Sequence, residues 1–396
     1  MNATELTWPN DGGITINYPG KYNSVYFSDF SLTTGVPNGG NAISHNQLAI
    51  SIPVAWLSPQ NTIARVTVRG TDIYNGVYNT ANYWTRGVSD SGVSWVSFDT
   101  YNYYGETAPA HTNAGYVGRG QGVYLVGRLG TPAVVFNFAN CNFSFAENGI
   151  EVDSYVDGVT VNQSNFDGGH TGIGVPPGES GLTQLVVTNS QFNVDLVAVN
   201  ILSSVGAVKV TNNLMFLPFR SSEGIVLQNS WDSTVVYNSI LGIGTARGIG
   251  IEVKNTAMST LISGNMLVNL TIGIQLDTAA SGVLLMANHY GTTMPISDAG
   301  TDNTHDVVIA AISSGFGLTP SISGDAFAGR VTVGSGGASS GVIAFTPAFT
   351  TPAPSCSAQD ETTPNTLRAT ATASQLTITG TMIAADKVTY TCKSFR

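Results

Sequence analysis

A gapless internal repeat governs what this chain can fold into. A branched or aromatic residue recurs at Phe138, Val161, Val187, Val210, Val236, Ile262 and Leu285. Three residues on from each stands a small or polar one: Cys141, Ser164, Ser190, Asn213, Ser239, Asn265 and Asn288. Two further on comes a large apolar one: Phe143, Phe166, Phe192, Met215, Leu241, Leu267 and Tyr290. The steps between copies are 23, 26, 23, 26, 26 and 23 residues. A constant inner offset within a slightly variable outer period marks a solenoid, in which each repeat stacks on the next. The copies alternate like strands and carry no heptads or helical stripes. Each copy therefore reads as one coil of a parallel β-helix, right-handed because parallel crossovers overwhelmingly are.

Composition agrees with stacked short strands joined by tight turns. There are 45 glycines and only 10% charged residues, while 42% of the chain is hydrophobic. That excludes a disordered chain and does not suit a helical one. The net charge is −10, with 15 Lys plus Arg and no basic cluster, so no nucleic-acid partner is expected. No run of about 18 apolar residues is present to span a membrane. The opening residues, MNATELTWPN, lack the basic start and apolar core of a signal peptide. The three cysteines lie far apart without histidine spacing, so neither a zinc site nor any other cofactor is expected.

From 132 to about 310 the coils are regular, and each has a second strand of Gly-Ile-x-Val-x form. It reads GIEVD at 149–153, GIGVP at 172–176, GIVLQ at 224–228, GIGIE at 248–252 and GIQLD at 273–277, with LVAVN at 196–200. Period-two alternation points the second and fourth residues inward and the third and fifth outward. Just before the small polar residue stands Asn140, Gln163, Asn189, Asn212 or Asn238. Asn tolerates the left-handed backbone of a sharp bend. The stacked Ser and Asn side chains can then hydrogen-bond coil to coil. Cys141, in the same column, reads as a buried packing thiol. The five-residue offset also appears earlier, at Phe27/Leu32 and Val68/Ile73.

The expected organisation is a capping segment at 1–24, the β-helix at 25–311 and a connecting stretch at 312–340. A small, sandwich-like β domain at 341–396 closes the chain. The Gly/Ser-rich stretch Gly334 to Gly341 reads as a hinge or a tight β turn. Cys356 and Cys392 are expected on neighbouring strands of the last domain, with their bonding left open.

The Gly-Ile strands and the Asn/Ser column resemble those of pectate-lyase-type β-helices. Residues 24–46, beginning SVYFSDFSLTTGVPNGG, resemble the first coil of bacteriophage tailspikes of that class. FTPAFTTPAPSCSAQ, SQLTITG and VTYTC are similar to the C-terminal β domains of phage tail fibres and spikes. The resemblance implies a homotrimer on a phage virion that binds, and often cleaves, a bacterial surface polysaccharide. Members usually carry an N-terminal virion-attachment domain, which this sequence does not show.

Glycosidic hydrolysis needs two carboxyl groups about 5–9.5 Å apart. Stacked coils repeat at about 4.8 Å, so acids on one face of nearby coils can meet that distance. Counting back from the Gly-Ile strands gives one edge holding Glu147, His170, Asp195, Glu223 and Arg247, with Asp167 and Arg220 a few residues upstream. Asp195 with Glu223 is the expected catalytic pair, as acids at one offset on adjacent coils. Glu147, Glu151 and Asp153 are the next candidates. The outward columns of the strand read Glu151, Gly174, Ala198, Val226, Gly250, Gln275 and Asp153, Pro176, Asn200, Gln228, Glu252, Asp277. Asn200 and Gln228 are expected to bond sugar hydroxyls, with Asp167, His170, Arg220 and Arg247 at the edge. Tyr101, Tyr103, Tyr104 and Trp84, from an aromatic cluster at 74–124, are expected to stack on sugar rings. The plainer roles for these residues are solvated surface acids, a satisfied surface histidine and loop or interface packing. Three functions stay open: a hydrolase, a glycan-binding adhesin without cleavage, and a secreted depolymerase or lyase.

Overall fold

Coil upon coil, the chain winds as a parallel β-helix. In a computed structural model the side chains are described for residues 28–29, 97–103, 121–127 and 135–393, apart from 204, 245, 256, 306–309, 347 and 350–352. Strand backbone is also described at 4–8, 14–15, 26–34, 48–52, 58–69, 86–90, 94–96, 104 and 133–134. Each regular coil has three strands, as in Ala133–Ala139, Asn142–Ser144 and Asn148–Val152. The first two strands of every coil join one 20-stranded sheet, and the third joins an 11-stranded sheet. All pairings between coils are parallel, for example Phe138↔Val161↔Val187↔Val210.

The bend between the first and second strands carries the expected column. Asn140, Gln163, Asn189, Asn212, Tyr237 and Ala287 all have left-handed backbone, with φ between 51° and 57°. The next residue turns inward and bonds to the neighbouring coil. Cys141 N donates to Ser164 Oγ, Ser164 N to Ser190 Oγ and Ser190 N to Asn213 Oδ1. Asn213 N donates to Asn238 Oδ1, Asn238 N to Asn265 Oδ1 and Asn265 N to Asn288 Oδ1. From Asn213 onward each amide also donates back, as Asn238 Nδ2 does to Val210 O at 2.9 Å and Asn265 Nδ2 to Val235 O at 2.9 Å.

One member differs from the sequence expectation. Val210 pairs with Val235, and Met215 with Ile240, so the coil's ladder residue is Asn238 and not Ser239. Ser239 follows the bend, opens the next strand and faces outward, half-buried. The run Tyr237-Asn238-Ser239 offers two polar residues. Asn238 takes the inward place because it can satisfy a backbone N–H and a carbonyl at once. The first coils are also registered differently from the expected offset: Leu32 pairs with Val68 and Phe27 with Ile63, while Ile73 lies outside the described residues.

Inside, like side chains stack. Phe143, Phe166 and Phe192 form a pile with centroids 4.9 and 4.6 Å apart. This pile explains the recurring glycine before each inward Ile. A Cβ on Gly149 would sit 2.5 Å from Phe166, and one on Gly172 would sit 2.5 Å from Phe192. Cys141 is buried in the column, where burial pushes its thiol up to about 12.

The second compact unit comprises residues 296–298 and 302–396. It holds two antiparallel four-stranded sheets around Phe316, Val331, Ile343, Leu376, Ile378 and Tyr390. Strands Ile309–Gly315, Ser321–Gly324 and Ala328–Thr332 belong to these sheets, so 312–340 is part of the domain and not a connector. Strands such as Lys387–Lys393 alternate buried and more exposed residues, because only one face of each sheet is buried. Gly336 and Gly337, at φ 85° and 67°, form the tight turn expected there. Cys356 stands directly opposite Cys392 on adjacent strands and is bonded to it, with Cα atoms 4.1 Å apart.

Two outcomes test this description. Asn238→Ala strands the backbone groups of Val210 and Asn213, and is expected to cost about 1–3 kcal/mol in denaturant unfolding. Ser239→Ala should change stability by less than about 0.5 kcal/mol, and the reverse ranking would mean the register is wrong. Reduction of the disulfide closing a 36-residue separation is expected to remove roughly 3–4 kcal/mol from the C-terminal unit, read as a lower denaturant midpoint in reducing buffer.

Candidate functional site

The 11-stranded sheet turns three outward columns away from the core. The strand-opening column runs Gln121, Asn148, Thr171, Val197, Glu223, Ile249 and Ile272. Three residues on, the register gives Tyr124, Glu151, Gly174, Asn200, Val226, Glu252 and Gln275. Two residues beyond Glu151, Glu252 and Gln275 come Asp153, Lys254 and Asp277, with Gln228 beside Lys254. The opening residue and the one three places on touch each other, since Asn148 Nδ2 donates to Glu151 Oε2 at 2.7 Å.

These contacts build two acid clusters. In the first, Glu151 Oε2 also accepts from Gln121 Nε2 of the preceding coil at 2.8 Å, and the Tyr124 hydroxyl donates to Asp153. In the second, Glu223 opens its strand and Glu252 stands on the next coil, opposite Val226, close enough for its charge to act on the Glu223 carboxyl. Glu252 is only 5% exposed. Its Oε1 accepts from Gln275 Nε2 at 2.6 Å, and its Oε2 lies 2.5 Å from Lys254 Nζ. Burial raises the Glu223 carboxyl above its usual range, the Glu252 charge raises it further, and Lys254 opposes the rise. Of the expected candidates, the structure thus places Glu223, Gln228 and Asn200 on one face with Glu252, and Glu151 with Asp153 four coils away.

Asp195 is not Glu223's column partner. Val197 pairs with Glu223, which leaves Asp195 two residues earlier, buried in the preceding corner. There its N–H donates to Gly169 O, and its carbonyl accepts from Ser222 Oγ at 2.7 Å. His170 is half-buried in the same corner one coil earlier, and Glu147 is exposed there two coils earlier. Asp167 lies on a different strand, the second of its coil, where it accepts from Asn193 Nδ2 at 2.8 Å. Arg220 is exposed in a turn, and Arg247 Nε donates to Ile243 O at 3.0 Å. Tyr101 and Tyr103 are fully buried, with the Tyr101 hydroxyl donating to Gly122 O at 3.0 Å, so they pack the core and cannot stack on a ligand. Tyr104 closes the strand beside Ser144, and Trp84 lies outside the described residues.

The partner that the sequence reading misplaced is Glu252. It reads there as a fifth-position residue because GIGIE offers two Gly-Ile pairs. A slip of two preserves the inward and outward faces, so alternation cannot detect it. The signal that finds it is the tetrapeptide Gly-Ile-Glu-Val, present at 149–152 and again at 250–253. The same slip displaces Asn200, which pairs with Gly174 and Val226, in the column expected to hold Ala198.

The carboxyl pair has a pH signature. Glu223 binds its proton more tightly in the folded chain than at its usual value of 4.5. Its ionisation therefore opposes folding, so its contribution is most favourable below that value and declines as pH rises through the folded one. Glu223→Gln is expected to flatten this decline in melting temperature measured from pH 4 to 7, and an unchanged slope would count against a raised Glu223 carboxyl.

Among the described residues no three His, Cys, Asp or Glu side chains are grouped to hold a metal ion. The family model described as periplasmic copper-binding protein (NosD) matches residues 102–307. The donors here do not fit copper: Cys141 is buried in the ladder, and the other two cysteines are bonded to each other. No curated protein matches the chain. Among solved structures, it is similar to PfbA, a surface adhesin of Streptococcus pneumoniae, with 10% identity, a TM-score of 0.43, and coverage of 77% of this chain and 87% of that one. It is similar to the tailspike of Pseudomonas phage phi297, with 10% identity, a TM-score of 0.39, and coverage of 93% and 66%. A tailspike of Acinetobacter baumannii bacteriophage AP22, solved in complex with capsular saccharide, gives 11% identity, a TM-score of 0.37, and coverage of 96% and 65%. The family match spans the ladder and both acid clusters, just over half of the sequence, and on it the chain belongs to the NosD family of β-helices.

Proposed function

We propose that this chain is the receptor-binding β-helix of a phage tail, binding a bacterial surface polysaccharide along the outer face of the 11-stranded sheet. The observation that carries the reading is the neighbouring Glu223 and Glu252, set among the amides of Gln228, Gln275 and Asn200 on that face. Amide groups both donate and accept, which suits hydroxyl-rich ligands. A long flat row of them on a rigid solenoid suits an extended polymer. The trimer and the attachment to a virion belong to this proposal through the tailspike-like residues 24–46 and the C-terminal segment.

Cleavage is the finer part. A carboxyl raised above its usual range, as that of Glu223 is, suits the general acid, and Glu252 would supply the second carboxyl that glycoside hydrolysis requires. Glu252, already bonded on both oxygens, favours a second reading in which the pair only binds.

Incubation with purified capsule or lipopolysaccharide, followed by assay of new reducing ends, separates the two. Hydrolysis predicts oligosaccharide release that Glu223→Gln and Glu252→Gln each lower by at least about 100-fold, with retained binding to the host surface. Binding without release leaves the adhesin. Absence of both, across host surfaces, overturns the function.

A further inference from the structure

Resting on the glycan-binding reading above, we propose that the outer face of the 11-stranded sheet selects uncharged or amino-bearing sugar chains and rejects acidic ones. The charge inventory of the three outward columns carries the inference. Among the described side chains they hold Glu151, Asp153, Glu223, Glu252 and Asp277 against one cation, Lys254. That cation is already committed, with its Nζ 2.5 Å from Glu252 Oε2. Glu151 and Asp153 stand at one end of the face, and Asp277 at the other. Asp277 is itself held by the backbone N–H groups of Asn255, Ala279 and Ala280.

Other cations do not reverse the balance. Arg86 holds the strand-opening position beside Gln121, and the five acids still outnumber it and Lys254 together. Arg247 stands in the corner before the strands with Nε on Ile243 O, and Arg220 is exposed in a turn of the preceding coil. Between the acid clusters lie Gly174, Asn200 and Val226, none of them charged. Four register steps separate Glu151 from Glu252, about 19 Å at ~4.8 Å per step. A chain lying along the axis over that length would meet acid groups at both ends. Recognition of a uronate or sialate needs a cation or a bidentate guanidinium. The described columns offer carboxylates and amides instead. A hexuronate carboxylate beside Glu151 or Asp153 meets like charge at short range, whereas a hydroxyl meets acceptors and an ammonium meets charge of opposite sign.

The test is a bacterial glycan microarray scored by uronate, sialate and phosphate content, run at low and high salt. Each acidic polymer is paired with its carboxyl-reduced form, which differs only in charge. Neutral and amino-sugar chains are expected to bind at least about tenfold more tightly than acidic ones at low salt, with the gap narrowing as salt rises. Carboxyl reduction should raise binding of an otherwise matching chain. Preferred binding of an acidic polymer, lost on carboxyl reduction, overturns the selectivity while leaving the glycan-binding reading intact. Failure to bind any chain on the array overturns both.

Discussion

The inward hydrogen-bond ladder at the left-handed bend is the interaction on which the β-helix depends. Strands such as Asn142–Ser144 and Asn165–Asp167 are only three residues long, too short to hold a register by themselves. At each bend one residue spends its side chain on the backbone of the neighbouring coil, as Asn238 does with Val210 O and Asn213 N. An unpaired amide or carbonyl at that depth costs roughly 1–3 kcal/mol, so alternative alignments of the coils are penalised at every step. With the bend held, length variation is displaced to the other corners, and repeats of unequal length stack without disturbing the core.

The same alignment creates the candidate site. Glu223 and Glu252 are 29 positions apart and share no local motif, yet the register that pairs Val226 with Glu252 sets them on neighbouring coils of one face. Two acids on a nearly buried face are unfavourable unless they find partners. Lys254 and Gln275 supply them for Glu252. The Glu151 cluster reaches the same end differently, by neutral donors from Gln121 and Asn148. One Gly-Ile-Glu-Val pattern thus holds its glutamate in two electrostatic settings, decided by the residue that opens the strand one coil earlier.

The C-terminal unit follows other rules. Its antiparallel sheets bury one face each, and its core draws on strands from both sides of the Gly336–Gly337 turn. The Cys356–Cys392 bond ties the edge strand Ser355–Asp360 to its neighbour, Lys387–Lys393. Nearby, Asp360 is protected in its charged form. Burial alone would raise its carboxyl, but hydrogen bonds donated by Thr363, Thr362 and Asn365 outweigh that and lower it.

The parallel β-helix, the inward ladder and the inward face of each Gly-Ile strand were legible in the sequence, because a solenoid repeats the same local chemistry every coil. Six of the seven ladder positions follow directly from the spacing. Ser239 failed because Asn238 beside it makes two ladder bonds where serine makes fewer. What only the tertiary structure decided is which residues meet. Period-two alternation is blind to a slip of two, so the partner of Glu223 turned on the pairing of whole strands and on the glycine that fits under each core side chain. Burial was hidden for a related reason. Tyr101 and Tyr103 have the composition of a sugar-stacking platform, but they occupy inward positions of a strand, and strand facing is set by the stack of coils and not by residue type.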